Sequence, residues 1–358
     1  MNKLLRRLFG FFRNISTQDK INFARHLSII VKAGLPILEG LRIIQKQTGS
    51  GVLRSVIDRV VVDISNGQFL ATSLERFPEM FDGFFINIIR VGETSGTLAA
   101  NLSYLADELK KSQDLKHKIR SAMIYPIIVM IATVILVSFL VFFAFPKILP
   151  IFASLHVQLP LPTRILITVS QFSIANGSYI LIGLAVFAIV ARILLALGPI
   201  KYLFDRALLM LPIFSRLISD VNIANFTRVL TVLLKGGIKI VEATIITSQT
   251  LSNLVYKRAL VTAAGEVKKG EPLAHYLSSH RSIFPILLSG LIEIGERTGN
   301  LEDNLTYLSD YYREEAERSI ANLTALIEPL LLLTMGIIVG FVAISIITPI
   351  YQITQGVA

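Results

Sequence analysis

No cysteine occurs in the 358 residues, which excludes disulfides, thiolate-bound metals and thiol nucleophiles and leaves the redox compartment unread. Tryptophan is absent as well. Sequence signatures of phosphate, zinc and acyl-transfer chemistry are missing: there is no Walker loop, no HExxH and no GxSxG elbow. The five histidines, His26, His117, His156, His275 and His280, are scattered. His275 and His280 are five apart and do not share a helical face as an i, i+4 pair would. Without an acid, base and nucleophile set, the residues point away from an enzyme and call for no cofactor and no metal.

What is abundant is apolar. Hydrophobic residues make up 53% of the chain and the mean hydropathy is +0.64, above soluble norms, so lipid must take up part of it. The net charge of +10 is uneven: residues 1–126 hold 18 Lys/Arg against 11 Asp/Glu, 127–198 three against none, and 199–329 fourteen against fourteen. The excess lies at the N-terminal end and beside the apolar runs. That is not the basic, aromatic-studded groove of a nucleic-acid binder.

Residues 127–145 carry no charge and as a helix would extend about 28 Å, enough to cross the hydrocarbon core. A second run covers 179–197, interrupted only by Arg192 near its end, and a third covers 330–348. A buried core helix could account for one such run but not for all three. Lys and Arg cluster before Pro126 and after Leu197, whereas 146–163 has only Lys147 and the last eleven residues have none. The positive-inside rule then expects a cytoplasmic N-terminus and a C-terminus on the far side. Arg192 falls at the cytoplasmic end of its span, where it can snorkel to headgroups as a membrane anchor. Residues 1–16 are basic, aromatic and broken by Arg6, Arg7 and Arg13, which suits an amphipathic segment on anionic lipid better than a signal peptide.

The chain also contains one segment written twice. Adding 203 to a residue number carries 23–146 onto 226–349 without a gap. Phe23, Arg25 and Lys32 fall on Phe226, Arg228 and Lys235, Gly34 on Gly237, and Gly67 and Leu70 on Gly270 and Leu273. GETSGTL at 92–98 falls on GERTGNL at 295–301, and NLSYLAD at 101–107 on NLTYLSD at 304–310. Pro126 and Pro146 fall on Pro329 and Pro349. A register held this far marks a duplication. Two crossings between the copies would return both to one side of the membrane.

Within each copy the apolar spacing is helical and strand signals are lacking. Thr17 is the expected cap of a helix to Lys32, and Gly34 and Gly237 fit hairpin turns. Breaks are expected at 48–51 and 66–67, with helices over 70–76 and 82–94 and a last one from Thr97 into the first span. The fold class is therefore all-α: a polytopic membrane protein with two duplicated antiparallel helical bundles and three transmembrane helices. The expected order is 1–16, an amphipathic segment; 17–126, the first bundle; 127–145, the first span; 146–178, a periplasmic or interfacial connector; 179–197, the second span. A juxtamembrane linker at 198–218, the second bundle at 219–329, the third span at 330–348 and a periplasmic tail at 349–358 complete it.

In the repeated motif, Gly92, Gly96, Leu98 and Asn101, with Gly295, Gly299, Leu301 and Asn304, read as structural residues. Gly96 and Gly299 permit a turn, and Thr97 and Asn300 are placed to cap the next helix, Asn300 with Asp303 resembling a capping box. Pro126 and Pro329 read as kinks where each helix meets the membrane. Glu93 and Glu296 sit at a helix C-terminus, where the dipole disfavours a carboxylate. They are candidates for contact with a partner's basic residue or with an arginine of the bundle. Arg25 and Arg228, kept in register by the duplication, join them as partner-contact candidates.

The doubled G-E-x-[ST]-G-x-L and N-L-x-Y-L-x-D, the K-[AG]-G turn early in each copy and the [YE]-P before a membrane helix together resemble the type II secretion F-domain family, over nearly all of 23–349. Its members are polytopic proteins of the bacterial inner membrane in type II secretion and type IV pilus assembly, with distant archaeal relatives. The resemblance implies six-helix cytoplasmic bundles. It also implies a homo-oligomeric platform between a cytoplasmic hexameric ATPase, the pilin or pseudopilin being polymerised, and other inner-membrane assembly components. Many bacterial members carry a longer stretch before the first repeat than 1–16. A transporter or channel is the competing class, opposed by only three spans and no acid within them.

Overall fold

The structure is a computed structural model, and it describes residues 15–144, 146 and 160–356. The amphipathic segment expected over 1–16, all but its last two residues, and Lys147 and His156 in the connector lie outside the described residues. Among the described residues every regular element is helical.

The first copy folds as α1 (Thr17–Lys32), α2 (Ile37–Gln47), α3 (Gly51–Ser65), α4 (Leu70–Glu75), α5 (Gly83–Ser95) and α6 (Leu98–Phe139). Next come α7 (Leu161–Ala196) and α8 (Gly198–Met210). The second copy gives α9 (Pro212–Lys235), α10 (Ile240–Thr250), α11 (Leu254–Lys268), α12 (Leu273–Ser279), α13 (Ile286–Thr298) and α14 (Leu301–Gly356). The offset of 203 carries α1 to α6 onto α9 to α14, start by start except at α9, which begins earlier.

Local chemistry sets these limits. The cap of α1 is Ser16 rather than Thr17: the Asp19 N–H donates to Ser16 Oγ at 3.0 Å and the Ser16 N–H donates to Asp19 Oδ2 at 3.3 Å, a capping box. Ser50 and Asp82 cap α3 and α5 in the same way, accepting from the N–H groups of Leu53 and Phe85. Gly34, Gly67 and Gly96 all have positive φ, and so do their counterparts Gly237, Gly270 and Gly299.

The chain divides into two compact units, one formed by 1–117 with 205–319 and the other by 118–204 with 320–358. In the first, both bundles share one continuous apolar core. Phe23, Phe81 and Phe85 cluster in the first bundle, with the Phe81 and Phe85 rings 4.8 Å apart. Phe226 and Phe284 repeat part of this, and Tyr256 meets Phe284 edge-on at 5.7 Å. Burial pushes the Tyr256 hydroxyl up to about 12, and that hydroxyl donates to the Ile283 carbonyl at 2.9 Å.

Helices over 98–143 and 301–345 reach into the second unit and contain windows of mean hydropathy 2.9 and 2.3 that are mostly bare of protein. A third helix passing the same test, Phe214–Lys235, is largely buried by protein and is a core element of the second bundle. Helix α7 passes as a pair of segments, Leu161–Ile180 and Ile182–Ala196, bent by 52°, with a non-helical residue at Asn176. It takes in much of the expected connector, and α8 and the start of α9 take in the expected linker. Both α6 and α14 continue through Pro126 and Pro329 without a break.

Two hydroxyls of α7 find carbonyls on these helices. Thr163 Oγ1 donates to the Ser345 carbonyl at 2.8 Å, and Ser170 Oγ to the Val141 carbonyl at 2.7 Å. Both hydroxyl residues are fully buried. Each carbonyl lacks its helical partner. Ser345 would be bonded by residue 349 in an α-helix, and Val141, in the π-helical turn Leu140–Ala144, by residue 146. Residues 146 and 349 are the duplicated prolines, which have no N–H.

Candidate functional site

The repeated G-E-x-x-G-x-L motif forms the same corner twice. Helix α5 passes so close to the start of α6 that a Cβ on Gly92 would lie 2.8 Å from Leu98 Cα; on Gly295 it would lie 2.7 Å from Leu301 Cα. Only glycine allows that approach. At Gly96 and Gly299 the backbone is left-handed, with φ of 73° and 77°, which ends one helix and reverses into the next. Asn101 Nδ2 then donates to the Ile88 carbonyl at 3.2 Å and Asn304 Nδ2 to the Leu291 carbonyl at 2.9 Å, tying α6 and α14 back to α5 and α13. The cap expected of Thr97 is not formed: its hydroxyl meets Ser95 Oγ at 2.6 Å instead. Among the described residues, the side chains of Asn300 and Asp303 make no capping bond.

Glu93 and Glu296 have a function inside the bundle. Glu93 accepts from the N–H groups of Leu70 and Ala71 at 2.6 and 2.9 Å. Glu296 accepts from Leu273 and Ala274 at 2.8 and 3.0 Å. Each carboxylate thus caps the N-terminus of a neighbouring short helix, α4 or α12, whose own N-cap residue, Phe69 or Pro272, makes no side-chain cap bond. The positive end of that helix dipole favours the charge. Both glutamates are half-buried, and among the described residues neither pairs with an arginine of the bundle. The expected contact was a basic residue, whereas the recipients are backbone N–H groups 22 and 23 residues away. The signal available was the fixed spacing from Leu70 to Glu93 in both copies.

The two arginines part company. Arg25 is exposed and pairs with Asp107 of its own bundle at 2.9 Å. Arg228 reaches across to the first bundle, where its guanidinium donates to the Glu108 carbonyl at 2.9 Å and lies 3.4 Å from Glu108 Oε2. It also donates to Asn225 Oδ1. Glu108 is buried and takes a second cation, Lys111, at 3.0 Å. Burial pulls the Arg228 pKa below its usual value, and the Glu108 carboxylate opposes that shift. Tyr104, beside this pair, is pushed up to about 12, first by burial and then by Glu108.

The site is thus a set of internal clasps and one ionic contact between bundles. Among the described residues no three His, Asp or Glu side chains gather where a metal could be held. Arg192 is exposed near the end of α7.

Comparison with known proteins agrees with this duplicated architecture. A sequence model described as type II secretion system protein F matches the chain twice, at 23–146 and 226–349, the segments related by the offset of 203. The type IV pilus assembly protein PilC of Thermus thermophilus is 35% identical over 95% of this chain and 84% of its own length. The protein of the same name from Pseudomonas aeruginosa is 29% identical over 97% and 92%. The type II secretion system protein F of Vibrio cholerae is 30% identical over 97% and 85%. With both copies of the bundle, their clasps and their membrane helices accounted for, this chain belongs to the type II secretion system protein F family.

Proposed function

We propose that the chain is the inner-membrane platform of a type II secretion or type IV pilus assembly machine, coupling a cytoplasmic assembly ATPase to polymerisation of a pilin or pseudopilin. The observation that carries this is the pair of matching bundles, each running by an unbroken helix into an apolar membrane-spanning stretch. Motion imposed on such a bundle has a stiff path to the bilayer. The names of its relatives, assembly and secretion proteins, supply the setting.

The topology in this reading puts the N-terminus and both bundles, 17–126 and 219–329, in the cytoplasm and the C-terminus in the periplasm. Spans near 127–145, 179–197 and 330–348 cross the membrane, and Arg192 anchors the second to headgroups. The partners are the ATPase, the pilin or pseudopilin, other inner-membrane assembly components, lipid and further copies of the chain. No catalysis by the chain itself is needed. Arg25, exposed on the first bundle, is the more accessible of the two arginines for a partner.

Deleting the gene and restoring it tests the role. Pilus assembly or secretion should stop and return, and the purified ATPase should bind membranes containing the chain. Normal assembly in the deletion strain, or an ATPase that never binds, would refute the proposal.

A further inference from the structure

The duplication presents two matching faces twice, but the chain covers each only once. On α9, Asn225, Arg228, Val229, Val232 and Gly236 form one helical stripe, spaced i, i+3, i+4, i+7, i+11. It packs under α5 and α6 of the first bundle, where Val91 Cγ1 would lie 3.7 Å from a Cβ on Gly236 and Glu108 pairs with Arg228. The same stripe on α1 is Asn22, Arg25, His26, Ile29 and Ala33, and it is bare: Ile29 is 61% exposed where Val232 is 1%. The covering face shows the reverse. In the first bundle Phe84 is 4% exposed, whereas its counterpart Leu287 is 39% exposed, and Ile286 and Ile294 stand at 69% and 53%.

We infer that the α13–α14 face of one chain docks on the α1 stripe of a second copy, repeating between chains the contact that α5–α6 makes with α9 within one. A second copy is the occupant because the two bare faces are the counterparts of two faces already fitted to each other. By the offset Ile294 would lie against Ala33, and Ile286, which matches Gly83, against Lys46 of α2, which matches Gln249; a Cβ on Gly83 would lie 3.5 Å from Gln249 Oε1. The apolar part of the contact repeats, whereas the ionic part does not, because Glu108 falls on Tyr311. Such a contact is head-to-tail, so it builds rings or rows rather than symmetric pairs. The inference deepens the self-association in the platform reading. It rests on the comparison of the repeats and can fail while that role stands.

Because the chain has no cysteine, paired thiols can be introduced cleanly and the full-length protein oxidised in native membranes. Val91→Cys with Gly236→Cys is the control for the contact inside one chain. The offset makes Ile294→Cys with Ala33→Cys the test. Cells co-producing one chain with Ala33→Cys and another with Ile294→Cys should give a cross-linked dimer that neither single variant gives alone. The double variant should give a ladder of higher species. Adding Ile29→Asp should lower the dimer yield about tenfold or more, as for a central apolar anchor; Ile286→Asp, on the opposite face, replaces it if Ile29→Asp fails to accumulate. No dimer from the mixed cells, a dimer of Ile294→Cys with itself, or a double variant closed within one chain would each overturn the inference. If the cross-link fails while deletion still abolishes assembly, the interface is wrong and the platform role survives.

Discussion

The two bundles share a skeleton but solve their interiors and surfaces differently. Their clasps are identical in kind: Glu93 and Glu296 each hold two N–H groups, Gly92 and Gly295 allow the same close approach, and Asn101 and Asn304 tie the same helices. Between them the packing has drifted. The ring that Phe85 supplies from α5 in the first bundle is replaced in the second by Tyr256 from α11, at the position matching Leu53. The arginine common to both is an exposed surface pair in one and a buried link to the other bundle in the second. Groups that satisfy backbone have no substitute of another kind, whereas apolar volume can be filled from several directions.

The sharpest test of that contrast is the arginine pair. Arg228→Ala leaves Glu108 buried with Lys111 as its remaining cation, and should cost about 3 kcal/mol. Arg25→Ala removes an exposed pair and should cost about 0–1 kcal/mol. Denaturant unfolding of the purified protein in detergent reads both, and equal losses would break the comparison. Glu93→Ala and Glu296→Ala should each cost about 2–3 kcal/mol by stranding two N–H groups at a helix end. Charge reversal at either glutamate should therefore reduce protein abundance in the membrane. A stable protein that no longer assembles would instead assign these residues to partner contact. Gly92→Ala and Gly295→Ala should cost about 1–3 kcal/mol each through backbone shift, equally in the two bundles, measured as a lowered midpoint.

The smallest effect separates the bundles by pH. Asp220, which corresponds to Thr17, is buried against Ser319, whose hydroxyl donates to it at 2.8 Å. Burial raises its pKa above 3.8, with the Ser319 bond acting against the shift. The folded state therefore holds the proton more tightly than the unfolded state, and stability falls as pH rises through the interval just above 3.8. Asp220→Asn should flatten that dependence and leave the first bundle unchanged, as thermal melts across acidic pH would show.

Much of the fold was legible because the duplication provided two readings of each element. Gly34, Gly67 and Gly96 marked turns whose counterparts confirmed them, and the breaks near 48–51 and 66–67 fall where expected. The start of α1 was misplaced by one residue because Ser16 and Thr17 are both good caps, and only Asp19, three residues on, favours Ser16. The second apolar run is expected to begin at 179, yet helix α7 begins at Leu161 and bends near Asn176, because its first half is apolar enough to continue the same helix. The glutamate clasps were hidden because they join helices through tertiary contact, which no local periodicity encodes. Burial of Arg228 could not be read either. Identical residues at matched positions differ only in what the rest of the chain lays over them.

The hydroxyls of Thr163 and Ser170 give α7 a distinct place in the architecture. The duplicated prolines leave a gap in the hydrogen bonding of both flanking helices, and in hydrocarbon an unmet carbonyl costs several kcal/mol. Helix α7, which lies outside the duplication, closes both gaps from one side, with donors seven residues and so about 10 Å apart along its axis. It works as a splint across two halves that were once one gene segment, holding their far ends in register. Drawing either half through the bilayer would carry the other with it.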